Sequence, residues 1–425
     1  MLPEDSTEVL RQAHEAFHAD DAAAVRRLLA EHPALKARIN DPAFEFDSPA
    51  IMRVRSRDML DVLLDAGADI NAHSKWWAGG FGLLDTASPE LAAYAIERGA
   101  VITAHAAARL GLLDQLRALV DADPAVVHAR GGDGQTPLHF ASTVEIAEYL
   151  LDHGAAIDTR DIDHESTPAQ YMVAKRPEVA RYLIGRGCQT DILMAAALGD
   201  LDLIRRHLDA DADSIRTRVS DEYFPLVSQC NGGTIYQWEL GWYVSALQVA
   251  RSFGHPEIFD FLNERSPADE RLLNACWLHD SATVRSLLAE HPGLAARLTP
   301  AGRRQLAHAV RNNDTAAAGL MLEAGLPVDT YSQHHATPLH WAAWHGNVVL
   351  VRLILGHHPP LGDTSNDYQG TPVDWAIHGS ANGWGGQNGD YAATLDALLD
   401  AGASLPEQIG GTEAVQVVLR RRGIK

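Results

Sequence analysis

Short apolar segments recur along the chain, each set off by the same polar and turn-forming signals. Thr-Pro opens such a segment at Thr136, Thr167, Thr337 and Thr371, with spacings of 31 and 34 within the two pairs. Gly-Ala closes one at Gly67, Gly99, Gly154 and Gly402, and Gly187 follows Gly154 by 33 residues. Proline suits the first helical turn, where a missing N–H costs nothing. The threonine before it can cap free N–H groups, and glycine can adopt the left-handed conformation that ends a helix. Between these signals lie two apolar helices, each too short to be stable alone in water. The pattern predicts a helix-turn-helix unit repeated along the chain, its apolar faces buried only by stacking on neighbours. A longer period overlays it. A branched apolar residue or leucine precedes Arg26, Arg117, Arg205 and Arg285, which are separated by 91, 88 and 80 residues. That spacing suggests a super-repeat of two or three units.

Particular stretches sharpen the pattern. Residues 134–141 read Gly-Gln-Thr-Pro-Leu-His-Phe-Ala, and residues 336–347 read Ala-Thr-Pro-Leu-His-Trp-Ala-Ala-Trp-His-Gly-Asn. Gly-His-Pro-Glu-Ile at 254–258 has the form of an entry into a second helix. These segments closely resemble the ankyrin-repeat family, in a bacterial-type form with aromatic-rich insertions between repeats. The resemblance implies an all-α ankyrin-repeat solenoid of about twelve helix-turn-helix repeats with a long finger-loop insertion. It would run as a single array over residues 1–425, with 405–425, which holds Arg420, Arg421 and Arg422, as a polar C-terminal cap.

Function on a repeat array sits where the template is broken. Residues 71–82 carry Trp76 and Trp77 in a glycine-rich stretch where the family places its finger loop. Residues 220–243 hold Tyr223, Phe224, Tyr236, Trp238, Trp242 and Tyr243. The stretch 234–240, rich in aromatic and branched residues after Gly232-Gly233, leans towards β, and 220–243 is expected to form an elongated finger hairpin. It would be either a lid over the groove or a self-packed aromatic cluster. Residues 379–390 contain five glycines around Trp384 and interrupt the last repeat between its helices, as a flap or a plain surface insertion.

The resemblance also places a ligand face on the loop tips and the ends of the first helices. It assigns Asp163, His164 and Ser166 to that face in one repeat, and Gln333, His334, Ala336, Trp344 and His345 in another. His139 and His340 match the family's structural histidine. Asp374 and Asp85 stand in its place in their repeats, and a carboxylate cannot donate the hydrogen bonds a histidine can. Asp374 and His378 are four residues apart and share a helix face. An aspartate there could orient the histidine for acid–base work, with Trp344 beside it. Equally, the two form an ordinary helix-surface pair. Arg53, Arg55 and Arg57 form a basic patch that would hold an anion or face solvent.

Composition narrows the partners. A formal net charge of −21 over 425 residues repels phosphate backbones and anionic lipid, so neither nucleic acid nor membrane is expected as a partner. Cys188, Cys230 and Cys276 are scattered and odd in number, which fits a reducing, cytoplasmic setting. No signal peptide or apolar run of membrane-spanning length is read from the sequence. No phosphate loop, nucleophile elbow, dinucleotide fingerprint or aligned metal-ligand pair is present, so neither cofactor nor metal is expected.

Two functions remain. The first is a binding protein that holds a protein partner or ligand in a concave groove. The second is an enzyme acting on a polyhydroxylated or aromatic small molecule, or a glycan, through Asp374 and His378. In either case the ligand would meet Trp76, Trp77, Asp163, His164, Tyr236, Trp238, His334, Trp344, His345 and Trp384.

Overall fold

A computed structural model describes residues 4–228, 230–384 and 388–424. These residues are helical, joined by short turns, and form no strand. Extended pairing is confined to isolated bridges, among them His73 with Gly82 and Arg218 with Ser245. The expected finger hairpin over 220–243 is absent among the described residues. Ile235 is helical, and Tyr236–Glu239 is a short helix. The branched and aromatic residues read as β-formers are there because that segment packs into a core, and tertiary burial overrides a weak local preference. No helix among the described residues is long and apolar enough to cross a membrane.

The chain forms two compact units, Met1–Leu198 with Val219–Gly241, and Gly199–Arg218 with Trp242–Lys425. Within the first, helix Ala104–Leu110 packs on Pro137–Phe140, which packs on Pro168–Met172. The second helices, Val144–Asp152 and Pro177–Gly185, pack on one another in the same order. The second unit repeats the arrangement. Gln305–Arg311, Pro338–Trp344 and Pro372–Asn382 form one row, and Thr315–Glu323, Val348–Leu355 and Tyr391–Asp400 form the other.

Local chemistry explains the element ends. Thr136, Thr167, Thr337 and Thr371 each precede a proline in the first helical turn. Gly154 closes its helix at φ 93°, and the Ala155 amide reaches back to the Leu150 carbonyl at 2.9 Å. This is a left-handed helix stop, which glycine alone adopts without strain. The four periodic arginines form exposed ion pairs, Arg26 with Asp65, Arg117 with Asp114, Arg205 with Asp202 and Arg285 with Glu323. Such pairs contribute at most about 1 kcal/mol each, so the longer period decorates a surface rather than building the core.

The structural histidines join one repeat to the next. His139 Nδ1 accepts the Thr136 amide at 3.0 Å, which leaves Nε2–H to donate to the Ser166 carbonyl at 3.2 Å. His340 does the same with Thr337 and with the Asp363 and Gly370 carbonyls. Asp374 and Asp85 keep only half of this device. Asp374 Oδ2 accepts the Thr371 amide at 2.8 Å, and Asp85 Oδ2 accepts the Gly82 amide at 2.7 Å. A carboxylate closes the turn but cannot donate onward to the next loop.

In the second unit a buried polar network replaces apolar packing. The Arg218 and Glu270 side chains are each 3% exposed and ion-paired. Arg218 also donates to Gln248 and Asn274, and the Ser245 hydroxyl bonds Asn274 at 2.9 Å. Burial pushes the Glu270 carboxyl up, against the pull of Arg218. Removing one partner of a buried pair strands the other charge, which costs about 3–5 kcal/mol. Arg218→Met is therefore expected to destabilise the second unit by that amount in urea denaturation. Adding Glu270→Met should restore a large part of the loss, and an Arg218→Met variant of unchanged stability would contradict the account.

Burial also holds two histidines neutral. His139, and His308 stacked on Tyr243 at 3.8 Å, are both pushed down to about 3. An unfolded histidine takes up its proton near pH 6.5. Between that pH and about 3 the unfolded chain binds more protons than the native one, so acidification destabilises the fold and the stability is complete only above about 6.5. His308→Gln is expected to lower the slope of stability against pH by up to about 1.4 kcal/mol per unit between pH 6 and 4. Denaturation curves across that range would check it, and an unaltered slope would mean that His308 is not held neutral.

Candidate functional site

Each unit carries an aromatic-lined recess. In the second unit, consecutive first helices place Trp341 and Trp375 one residue after the structural histidine and after its replacement Asp374. Both indoles are buried and meet edge to face at 5.2 Å. Trp344 lies one turn further along and stacks on His378 with ring centroids 5.7 Å apart. Tyr368 and His334, 5.1 Å apart, come from the neighbouring loop tips. Trp384 covers the group from the insertion, stacked on Trp341 at 5.7 Å. Together with Asp374 and Gly370 they enclose a recess of about 440 Å³.

The insertion around Trp384 is held by close backbone approach. Helix Pro372–Asn382 runs into it, and a Cβ on Gly379 would come within 2.6 Å of the Trp344 carbonyl oxygen. Residues 385–387 of the 379–390 segment lie outside the described residues. Arg311 adds a second constraint. Its guanidinium lies 3.6 Å from the Trp242 ring centroid and 4.8 Å from that of Trp384, and donates to Gln333. Burial lowers its pKa.

The expected Asp374–His378 pairing is not formed. The Asp374 carboxylate is taken by the Thr371 amide and hydroxyl, at 2.8 and 2.7 Å. His378 lies against Trp344 and Asn382. Both residues line the recess, but the need to close the Thr371 turn outcompetes a surface contact four residues along.

In the first unit, Asp161 builds the tip that presents Asp163 and His164. Its carboxylate accepts the His164 amide, the Ser166 amide and the Tyr171 hydroxyl, at 2.8, 2.7 and 3.0 Å. The insertion closes onto this tip. Val227 and Ser228 amides bond Glu165, Gly232 N donates to the Asp163 carbonyl, and Ile235 N donates to Ser166 Oγ. His164 Nδ1 lies 2.7 Å from the Gly233 carbonyl. Asp133, from the preceding loop tip, completes a cluster with Asp163 and His164. Burial, with Asp163 and Asp161 nearby, pushes the Asp133 carboxyl up to about 7 against the pull of His164. The cluster faces a recess of about 470 Å³ walled by Phe46, Arg53, Trp76, Phe81 and Trp238.

The remaining expected residues divide. Trp76 packs edge to face on Phe46 at 4.9 Å, and Trp77 is exposed beside it. Two residues expected at the ligand face serve the scaffold instead. Tyr236 is fully buried and its hydroxyl reaches Asp191 at 2.9 Å. His345 is buried and bonds the Arg311 carbonyl at 2.9 Å. Trp76 and Trp238 belong to the first unit's recess, and His334, Trp344, His378 and Trp384 to the second's. Sequence reasoning missed Asp133, Trp341, Tyr368 and Trp375. Repeat register held the signal for all four. Asp133 and Tyr368, like His164 and His334, each stand three residues before a Thr-Pro threonine, and Trp341 and Trp375 each stand four residues after one.

Comparison with known proteins agrees with this architecture. A family model for three copies of the ankyrin repeat matches residues 104–194, and a single-repeat model matches residues 334–364. No curated protein matches the chain. One matched stretch lies in each compact unit, on the helix rows and histidine-closed turns described above, and such repeats indicate a protein–protein interaction module. The chain carries ankyrin repeats, in residues 104–194 and 334–364.

Proposed function

We propose that the chain binds a segment of a partner protein, and that the second unit's aromatic recess is the anchor point for a cationic side chain of that segment. The observation that carries this reading is the convergence of Trp341, Trp344, Trp375, Trp384 and Tyr368 around one recess with the Asp374 carboxylate at its edge. Aromatic faces attract a cation by about 0.5–2 kcal/mol each, more when water is excluded. Tryptophan also dominates the energetic centres of protein interfaces. A net charge of −21 favours approach of a basic partner. Arg311, held against Trp242, Trp341 and Trp384, supports the reading, since a guanidinium of the chain itself already rests on these rings.

The alternative of acid–base catalysis by Asp374 and His378 draws no support from the geometry, because Asp374 is committed to the helix start. The recess is read as a place to hold a side chain, not to react with one.

A peptide library with lysine, trimethyl-lysine, arginine, leucine or glutamate at a central position would test the reading by fluorescence anisotropy. Cationic peptides are expected to bind and acidic ones not. Trp344→Ala should weaken binding by about thirtyfold or more, as the truncation of an interface anchor does. Binding indifferent to peptide charge, or undiminished in Trp344→Ala, would refute it.

Trp384 is expected to behave differently from the floor residues. It is exposed and touches the recess from above, so Trp384→Ala should leave thermal stability within about 1 kcal/mol of the parent while weakening peptide binding. Trp375→Ala, by contrast, removes a buried ring and should destabilise by about 3–5 kcal/mol. Urea denaturation of the two variants distinguishes rim from floor, and equal losses would contradict that division.

A further inference from the structure

Asp133, Asp163 and His164 line the first unit's recess, whereas the proposed peptide anchor belongs to the second unit. Their free ligand atoms lie within 4.8 Å of one another. Three features set the cluster apart from an ordinary acidic patch. The Asp163 side chain is only 6% exposed, and its Oδ1 has no hydrogen-bond partner. Asp133 Oδ1 is likewise buried without a partner. Burying carboxylate oxygens without a partner is expensive, and such charges are ordinarily paired or bound to metal.

The histidine supplies the third feature. Its Nδ1 is 2.7 Å from the Gly233 carbonyl, which can only accept, so Nδ1 carries the proton. Nε2 then turns its lone pair towards Asp163 Oδ2 at 3.8 Å and Asp133 Oδ2 at 3.9 Å. A protonated Nε2 donating to either carboxylate would close to about 2.8 Å. The near-equal, longer separations leave room between the atoms for an ion, which would bind at about 2.1 Å. A backbone carbonyl fixing the tautomer of a ligating histidine is a common outer-shell arrangement. The insertion also crowds the cluster at Gly232, where a Cβ would fall 2.9 Å from His164 Cε1 and 3.1 Å from Asp163 Oδ2.

We propose that Asp133, Asp163 and His164 bind one first-row divalent cation, of the Mn²⁺ or Zn²⁺ type, in the Trp76–Trp238 recess. Once both carboxyls are ionised, they and a neutral imidazole give a charge of −2, which the ion cancels. The mixed oxygen and nitrogen donor set suits these ions better than Mg²⁺ or Ca²⁺, which prefer all-oxygen sites. Positions not filled by protein face the recess, where a partner's or ligand's oxygen would complete the coordination.

The test uses the full chain stripped of metal with a chelator. Titration with Mn²⁺, followed by electron paramagnetic resonance, is expected to show one site per chain, with an imidazole ¹⁴N coupling in the pulsed spectrum. Asp163→Asn and Asp133→Asn should each weaken Mn²⁺ binding at least tenfold, and His164→Gln should abolish the nitrogen coupling. Far-UV circular dichroism confirms that each variant is folded. Should one variant not fold, the wild-type stoichiometry and coupling together with the other variants decide the matter. Absence of a stoichiometric Mn²⁺ site in the wild-type chain overturns the proposal. So does retention of the same site in folded Asp163→Asn and Asp133→Asn, since other histidines would then be holding the ion.

Discussion

A helix of four residues such as Pro137–Phe140 cannot hold itself together in water, and everything else in this protein follows from that. Its stability comes from neighbours on either side, so each repeat must be closed at its turn and tied to the next loop. His139 and His340 perform both tasks with one ring, accepting from a threonine amide and donating across to the following loop. The cost is a buried imidazole that cannot be charged. Asp85 and Asp374 show the device reduced to its first half, and both line or adjoin glycine-rich insertions rather than regular repeats.

That scaffold determines where chemistry is available. Side chains just after the structural position point into the stacked row, which makes Trp341 and Trp375 a buried floor. Those one turn later and those on loop tips form walls and rim, as Trp344, Tyr368 and His334 do. The same register in the first unit brings the tips at Asp133 and His164 together, with the insertion folded over them. Repetition of a simple unit thus creates two different recesses, one aromatic with a carboxylate edge, the other built on two acids and an imidazole.

Much of the fold was legible in the sequence because its signals are short-range. Thr-Pro starts, glycine stops and the capping histidines are each settled by a few neighbouring residues. The segment 234–240 was misread because its branched and aromatic residues favour a strand locally, while Tyr236 is drawn into the core by Asp191, some forty-five residues away in sequence. Asp374 and His378 lie in one helix, but spacing alone could not reveal that Thr371 takes the carboxylate first. His345 sits where a ligand residue was expected, yet a long-range bond to the Arg311 carbonyl holds it in the scaffold. Asp133 was missed because its partners come from a different repeat, and only a register comparison between loop tips would have raised it.

The central claim is that the second unit's tryptophans form the partner-binding anchor. Indole ¹H–¹⁵N resonances of the nine tryptophans report on it directly during titration with a lysine-bearing peptide. The account predicts that the signals of Trp341, Trp344, Trp375 and Trp384 shift together and saturably, while those of Trp76, Trp77, Trp238 and Trp277 stay in place. Shifts confined to the latter group, or none at all with a peptide that binds, would contradict it.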